Sequence, residues 1–199
     1  RLTIHLGWIA TAENKYLLIL EWIGVATLTG VFYEFFYYWF HRAQHQFKFL
    51  WRFHALHHSI RDMNAWNNLH HLTEEIFRIP FITIPTSLLI SIDPGYVPAI
   101  IFIILRAQGQ FEHSATRISL GPLRYLIADN RYHRIHHSRE PKHFDHNFGS
   151  FTPFWDIVFG TAHFPLKREW PQVGLEDIDE PKSIGDYITR PFRDQKGIR

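Results

Sequence analysis

The sequence predicts a mostly α-helical fold: an integral-membrane helical bundle with a cap of helices on its cytosolic face that carries histidine boxes. Three observations lead to this prediction. Strand-like alternation of apolar and polar residues is weak along the whole chain. Residues 16–40 and 79–105 are nearly free of charge, and a run of about 20 apolar residues can cross a bilayer core. Histidine reaches 15 of 199 residues and falls mainly into short clusters with helical spacing.

The first apolar stretch, residues 16–40, has Glu21 and Glu34 as its only charged side chains. It is long enough for one membrane-spanning helix. It continues without a helix breaker into His41 and His45. We therefore expect the first histidine cluster to extend the same helix beyond its apolar part.

The second apolar stretch, residues 79–105, has Asp93 as its only charged residue, and Asp93-Pro94-Gly95 interrupts it in the middle. A Pro-Gly pair marks a turn, so this stretch predicts a helical hairpin. Each arm is short for a full span. The arms are therefore expected to enter the membrane in part or to extend into flanking amphipathic turns.

The remaining chain is more polar. A helix-like stretch covers residues 129–138, and the sequence from Arg139 onward is loop-like apart from residues 151–161. The length favours a single domain over residues 1–199. We expect a core at about residues 32–161 that carries the histidine boxes, and a polar surface tail at residues 162–199.

Composition excludes several kinds of site. The chain has no cysteine, which excludes disulfides, thiolate zinc sites, iron–sulfur clusters and Cys-ligated haem. The formal net charge of +2 does not suggest nucleic-acid binding, which usually needs a concentrated basic face. Imidazole therefore remains as the abundant group able to bind a metal or transfer a proton.

Three histidine boxes carry this chemistry. Positions i, i+3 and i+4 of a helix lie on one face, so each box directs its imidazoles toward one volume. Chance predicts only about 0.1 patterns of the HxxHH type in this chain, and two are present. Eight imidazoles exceed the needs of one ion, which predicts two metals. The boxes are His41-x3-His45, His54-x2-His57-His58 and His133-x2-His136-His137.

Other histidines flank the hairpin or follow the third box. His71 and His113 lie beside the two hairpin arms, where each arm can deliver one imidazole to the same face. His70 is the alternative to His71 and points about 100° away from it on a helix. His143 and His146 lie in a loop, where a site role and simple solvation both remain open.

The order of these motifs resembles the fatty acid hydroxylase/sterol desaturase superfamily of integral-membrane, histidine-rich di-iron oxygenases. The motifs run HRxxH, HxxHHS, a hairpin, FxHS, HRxHHS and a closing NFGSFxPFWDxVFGT. The resemblance covers about residues 32–161 and continues more weakly through residues 173–192. It rests on motif order and spacing together with the closing WDxxFGT segment.

The resemblance implies ten metal ligands and a reaction. Its metals are two iron ions, with zinc an alternative occupant in purified samples, and dioxygen is the co-substrate. The reaction is hydroxylation or desaturation of a C–H bond in a lipid: a sterol, fatty acyl chain, glyceryl ether or carotenoid. The implied ligands are His41, His45, His54, His57, His58, His71, His113, His133, His136 and His137.

Acidic residues and partners complete the prediction. Glu74, Glu112 and Asp156 are candidates to orient the ligands from a second layer. Nucleotide and flavin motifs such as GxGxxG are absent from the sequence, so an external electron donor is expected, either cytochrome b5-like or a ferredoxin with its reductase. Basic residues around the boxes place them on the cytoplasmic face of the membrane bilayer.

Two other functions compete with this interpretation. A histidine-rich membrane zinc hydrolase would need a general base, which Glu74 or Glu112 can supply, but it needs fewer imidazoles than the boxes provide. A non-catalytic membrane metal transporter or sensor would favour ionisable residues inside spanning helices. In this sequence the boxes follow or flank the apolar stretches instead.

Overall fold

Helices account for most of the ordered structure, as the sequence predicts. A computed structural model describes residues 4–5, 15–91 and 96–193. Two residues of β1 pair in parallel with two of β2, with Ile4 opposite Ile90. The elements are β1 (Ile4–His5), α1 (Lys15–Gln46), α2 (Lys48–His58), α3 (Leu72–Arg78), a π-helix (Ile79–Thr83), α4 (Ile84–Leu89), β2 (Ile90–Ser91), α5 (Tyr96–Glu112), α6 (Asn130–His136), α7 (Phe154–Phe159), α8 (Ile184–Thr189) and 3-10 turns at Gly121–Tyr125, Pro141–His143 and Arg190–Phe192.

The first apolar stretch and the first histidine box form one continuous helix, α1, as predicted. The α1 helix ends before Phe47, which has an extended backbone at φ −101° and ψ 114°, and α2 begins at the next residue. The helix is interrupted there, and α2 packs against α1. The first box lies beside the second, with Nε2 of His41 2.9 Å from Nε2 of His54.

The first arm of the predicted hairpin is helical but irregular. Pro80 and Pro85 cannot donate a backbone hydrogen bond, and proline inside a helix disrupts the regular ladder. The chain accommodates them by passing from α3 through a π-helix into α4. The second arm is α5, and the predicted Asp93-Pro94-Gly95 turn lies outside the described residues.

The predicted membrane crossing is not confirmed. Among the helices of the described residues, none combines the length and apolar character needed to traverse a bilayer. The spanning role of residues 16–40 therefore stays a prediction.

Local signals fix the helices that follow the hairpin. Asp129 begins α6, because its carboxylate accepts the Tyr132 N–H at 2.9 Å and satisfies a donor of the first turn. Gly160 ends α7 in the left-handed conformation at φ 73°, which glycine adopts without strain. The α6 helix packs against α5, and α7 packs against α1, where Phe159 stacks on Tyr38 three residues before His41.

Candidate metal centre

Nine of the ten predicted ligands come together in two adjacent groups. In each group, one nitrogen per imidazole lies within 4.8 Å of every other. The two groups adjoin: the rings of His58 and His137 are stacked with their centroids 4.3 Å apart. We call them the first group, formed by His41, His45, His54, His58 and His136, and the second group, formed by His57, His113, His133 and His137.

The nitrogen–nitrogen distances match the edges of a coordination shell. In the first group, the Nε2 atom of His54 lies 2.9 Å from Nε2 of His41 and 3.1 Å from Nε2 of His58. In the second, Nε2 of His113 lies 3.1 Å from Nε2 of both His57 and His133. Two nitrogens bound at about 2.1 Å to one ion at a right angle are about 3.0 Å apart. The spacing therefore suits a transition-metal ion in each group.

Hydrogen bonds on the outer edge of the rings fix which nitrogen carries the proton. A carbonyl oxygen only accepts, so the Nδ1 atom that faces it must donate. His41 donates to the Phe148 carbonyl at 2.7 Å, His113 to the Gly109 carbonyl at 2.8 Å, and His136 to the His146 carbonyl at 2.8 Å. The Nε2 atoms of these neutral rings consequently bear lone pairs that point inward.

Facing lone pairs require a cation between them. Burial and the neighbouring histidines hold the pKa of His57 well below its ordinary value, and burial lowers the pKa of His113 and His136 to about 3. Protons therefore do not bridge these rings at neutral pH. The Nε2 atoms of His45 and His136 are buried and lack a hydrogen-bond partner among the described residues. A bound metal ion would satisfy both atoms, because imidazole nitrogen is a good ligand for iron and zinc.

Glu74, one of the predicted second-layer acids, lies beside the first group. Its buried carboxylate faces Nδ1 of His54 at 3.3 Å and Nδ1 of His70 at 3.1 Å, and it also accepts from the Gln44 amide. Burial by itself raises the pKa of Glu74, but the imidazoles beside it bring that pKa well below its usual range. An ionised Glu74 orients His54 with Nε2 toward the first group.

Glu112 and Asp156 support the centre in different ways. Glu112 lies beside the second group, with Oε2 at 3.9 Å from Nδ1 of His133, and it accepts the Ser150 hydroxyl at 2.9 Å. Asp156 does not face an imidazole. It accepts the N–H groups of Phe148 and Gly149 at 2.8 and 2.7 Å, and so holds the loop whose carbonyl orients His41.

His71 is the one predicted ligand that the structure places apart from both groups. It is the N-cap of α3: its Nδ1 accepts the Thr73 N–H at 3.2 Å, while Nε2 faces the Ile188 carbonyl. Its neighbour His70 stacks on His57 with ring centroids 4.0 Å apart and bonds to Glu74. Helix capping directs His71 away, because the chain is still extended at this residue, with φ −59° and ψ 140°.

Several contributors to the site were not predicted. Gln44 donates to Glu74 from α1, and its position three residues after His41 on the same helix face was an available signal. The carbonyls of Gly109, His146 and Phe148 orient three ligands but carry no side-chain signature in a sequence. Only the folded loops reveal them.

A cavity of about 340 Å³ opens beside the first group. Its wall includes three ligands of that group, His45, His58 and His136, together with Trp51 and Phe144. The first group is therefore accessible to a small molecule from this side.

Known proteins are similar in sequence to this chain. Alkylglycerol monooxygenase of Homo sapiens is 30% identical over 168 residues, which cover 82% of this chain and 36% of that protein. Ornithine lipid hydroxylase OlsE of Rhizobium tropici is 32% identical over 165 residues, or 80% of this chain and 47% of that protein. Protein CER1-like 1 of Arabidopsis thaliana is 33% identical over 139 residues, or 65% of this chain and 22% of that protein.

The chain spans between about a fifth and a half of the length of these relatives. No solved structure shows significant similarity to it. The model of the fatty acid hydroxylase family matches residues 26–161, a range that includes every histidine of both groups. With the boxes folded into two converging imidazole groups, the chain belongs to the fatty acid hydroxylase family.

Proposed function

We propose that this chain is the catalytic part of a membrane-bound, non-haem di-iron oxygenase that hydroxylates a C–H bond of a lipid. The observation that carries the proposal is the pair of buried imidazole groups whose unprotonated nitrogens converge. The names of two relatives, a monooxygenase of alkylglycerols and a hydroxylase of ornithine lipids, support a lipid substrate. Desaturation uses the same ligand set and is the alternative outcome at the same site.

The two groups hold the metals in distinct settings. Two iron ions, when bound, transfer electrons to dioxygen and supply the oxidising power that removes hydrogen from an unactivated C–H bond. In hydroxylation, one oxygen atom enters the C–H bond. The other leaves as water, which consumes two electrons and two protons. The protein fixes ring orientation through the Phe148, Gly109 and His146 carbonyls and through Glu74.

Burial gives the chemistry a dry setting. The second group lies wholly inside the protein, with His57, His113, His133 and His137 each no more than 3% exposed. Excluding water strengthens electrostatic interactions at the site and protects reactive species from side reactions. The cavity beside His45, His58 and His136 supports approach of substrate or dioxygen to the first group.

Exposed apolar side chains support membrane binding. An apolar surface of this extent on a monomer marks a contact with another protein or a membrane. On α1, α4 and α5 the structure exposes Leu17, Leu20, Ile23, Leu28, Ile84, Leu88, Ile103 and Ile104. We propose that these faces meet the bilayer and that the histidine-bearing end lies on its cytoplasmic side.

The electrons come from a separate protein. The sequence has no flavin or nicotinamide motif, so a cytochrome b5-like protein or a ferredoxin with its reductase is proposed as the donor. The basic residues near the boxes, among them Lys48, Arg52 and Arg139, favour an acidic partner surface.

Metal content and reductant-dependent oxygen uptake test the proposal. We expect detergent-purified protein to bind about two irons per chain and to consume oxygen when a reductant is supplied. His57→Ala removes a ligand of the second group and His136→Ala one of the first, so each should reduce iron content and abolish uptake. His5→Ala, which changes a histidine of β1, is the matched control and should retain both. Two zinc ions with no oxygen uptake after iron reconstitution would contradict the proposal.

A further inference from the structure

A third set of potential ligands lies outside the two groups, in the loops after α6. His143, His163 and Glu169 each offer one ligand atom, and these atoms all lie within 4.8 Å of one another. Glu169 Oε1 is 3.1 Å from Nε2 of His143, and its Oε2 is 3.8 Å from Nε2 of His163. The two rings meet edge to face with centroids 4.9 Å apart. We call this set the loop cluster.

Turn residues and hydrogen bonds hold the loop cluster in place. Asp145 and Asn147 adopt left-handed backbones, at φ 60° and φ 61°. Besides glycine, aspartate and asparagine are the residues that adopt this conformation most readily, because their short side chains can hydrogen-bond locally. Asn147 donates its amide to the His163 carbonyl at 2.9 Å and accepts the His163 N–H at 2.6 Å. These bonds tie the loop that carries His143 to the segment that carries His163.

Each ligand of the loop cluster is also oriented individually. The buried His143 places Nδ1 at 2.7 Å from the Ser138 hydroxyl, which turns Nε2 toward Glu169. Glu169 accepts the Leu166 N–H at 2.9 Å through Oε2. His163 has 30% of its side chain exposed, so the cluster is open to solvent on one side.

Two imidazoles and one carboxylate are a zinc ligand set, with water in the fourth position. Lys142 is the one cation that contacts Glu169 among the described residues, with Nζ at 3.0 Å from Oε1. It does not close the site: its side chain is 59% exposed, and Glu140 already offers a second partner at 3.1 Å. Lys142 can therefore keep an ion pair when a cation approaches Glu169.

We propose that His143, His163 and Glu169 bind a zinc ion, separate from the metals of the two histidine groups. The ion would connect the 138–147 loop, which carries His143, to the 163–169 segment, which carries His163 and Glu169. That loop supplies the His146 carbonyl to which His136 donates, and Phe144 and Asp145 in the cavity wall beside the first group. This proposed zinc site does not depend on the oxygenase function, because none of its ligands belongs to either histidine group.

Zinc binding at equilibrium tests the loop cluster directly. The metal-free chain in detergent is dialysed against zinc, and the bound zinc is quantified per chain. Absorption spectra are recorded in parallel on the same proteins loaded with cobalt. We expect wild type to bind one equivalent more than His163→Ala. Glu169→Gln keeps the shape of the side chain and should lower the affinity for that additional zinc ion by more than about tenfold. Glu140→Gln is the matched control, since it removes a neighbouring carboxylate that pairs with Lys142 and is not a ligand of the loop cluster.

The outcomes separate clearly. Loss of one equivalent in His163→Ala and weakening in Glu169→Gln, with Glu140→Gln unchanged, support the site. Equal zinc stoichiometry in wild type and His163→Ala would overturn it. A misfolded His163→Ala would lose metal from all sites, whereas Glu169→Gln retains a group that can accept the Leu166 N–H. Failure of oxygen uptake with a normal third equivalent would count against the oxygenase alone.

Discussion

Replacing Asp156 by asparagine should destabilise the protein and loosen its first metal site together. The Asp156 carboxylate is fully buried and accepts three hydrogen bonds, from Phe148 N–H at 2.8 Å, Gly149 N–H at 2.7 Å and the Thr161 hydroxyl at 2.6 Å. Asparagine matches its volume but has one oxygen and an NH₂ group. One of the two backbone N–H groups then faces another donor.

The expected cost in free energy of unfolding is about 3–5 kcal/mol. Hydrogen bonds to an ionised group contribute about 1.5–3 kcal/mol each and those between neutral groups about 1 kcal/mol. The substitution makes the remaining bonds neutral and leaves one buried N–H unpaired, which costs a further 1–3 kcal/mol or so. Domains of this kind have a total stability of about 5–15 kcal/mol, so the variant still folds if the wild type is above the lower end.

The same change should weaken metal binding in the first group by about 10–100-fold. The Phe148 carbonyl accepts from Nδ1 of His41 at 2.7 Å, and its position depends on Asp156 holding the Phe148 N–H. Loss of an outer hydrogen-bond partner typically lowers metal affinity by that factor. The second group is linked to this loop only indirectly, through Glu112, which accepts the Ser150 hydroxyl and lies 3.9 Å from His133, so metal binding there should weaken less.

Urea unfolding of metal-free protein measures the change in the free energy of unfolding, and competition with a chelator measures the change in metal affinity. Asp179→Asn is the control: its exposed carboxylate pairs with Arg61, and such surface pairs contribute about 0–1 kcal/mol. If Asp156→Asn matched Asp179→Asn in both unfolding energy and metal affinity, the proposed link from Asp156 through Phe148 to His41 would be refuted.

Three further predictions follow from other contacts. His70→Ala should lower metal affinity about tenfold, because His70 bonds to Glu74 and stacks on His57. His71→Ala should instead lower the free energy of unfolding by about 1 kcal/mol through loss of the helix cap, and metal analysis should show unchanged metal content. In metal-free protein, the pKa of His113 and of His136 is lower in the folded state than in the unfolded chain, so the unfolded chain binds more protons below about pH 6.5. The free energy of unfolding should therefore be highest above about pH 6.5 and fall toward pH 3, by up to about 1.4 kcal/mol per pH unit for each ring. A denaturation midpoint independent of pH between 7 and 5 would contradict this. Gly149→Ala should lower the unfolding energy by about 1–3 kcal/mol, because the added Cβ would lie 2.4 Å from the Thr152 carbonyl, and an unchanged urea midpoint would show that the loop yields freely.

The sequence predicted elements whose signals are local. The apolar run into His41 predicted one helix and the structure has α1 over both. Asp129 before the third box marked a helix start, and Asp129 caps α6. Eight imidazoles were expected to converge because helical spacing places i, i+3 and i+4 on neighbouring positions, and His113 was expected from its place beside the hairpin; these nine converge.

Features that depend on the tertiary path were not predictable in this way. The choice between His70 and His71 is decided by where α3 begins, since the capping residue turns its side chain back onto the first turn. The π-helix at Ile79–Thr83 depends on how two prolines are accommodated in one packed segment. The carbonyls that orient the ligands belong to loops whose course no side-chain pattern encodes.

The division of each HxxHH box between two sites has a geometric cause that explains why two boxes are needed. At about 100° per residue, i+4 lies about 40° to one side of i, while i+3 lies about 60° to the other side. His54 and His58 therefore face the first group and His57 the second, whereas His133 and His137 face the second group and His136 the first. Each box gives two imidazoles to one group and one to the other. Neither helix alone can fill a coordination shell, so both metal sites form only when α2 and α6 are held in one relative position.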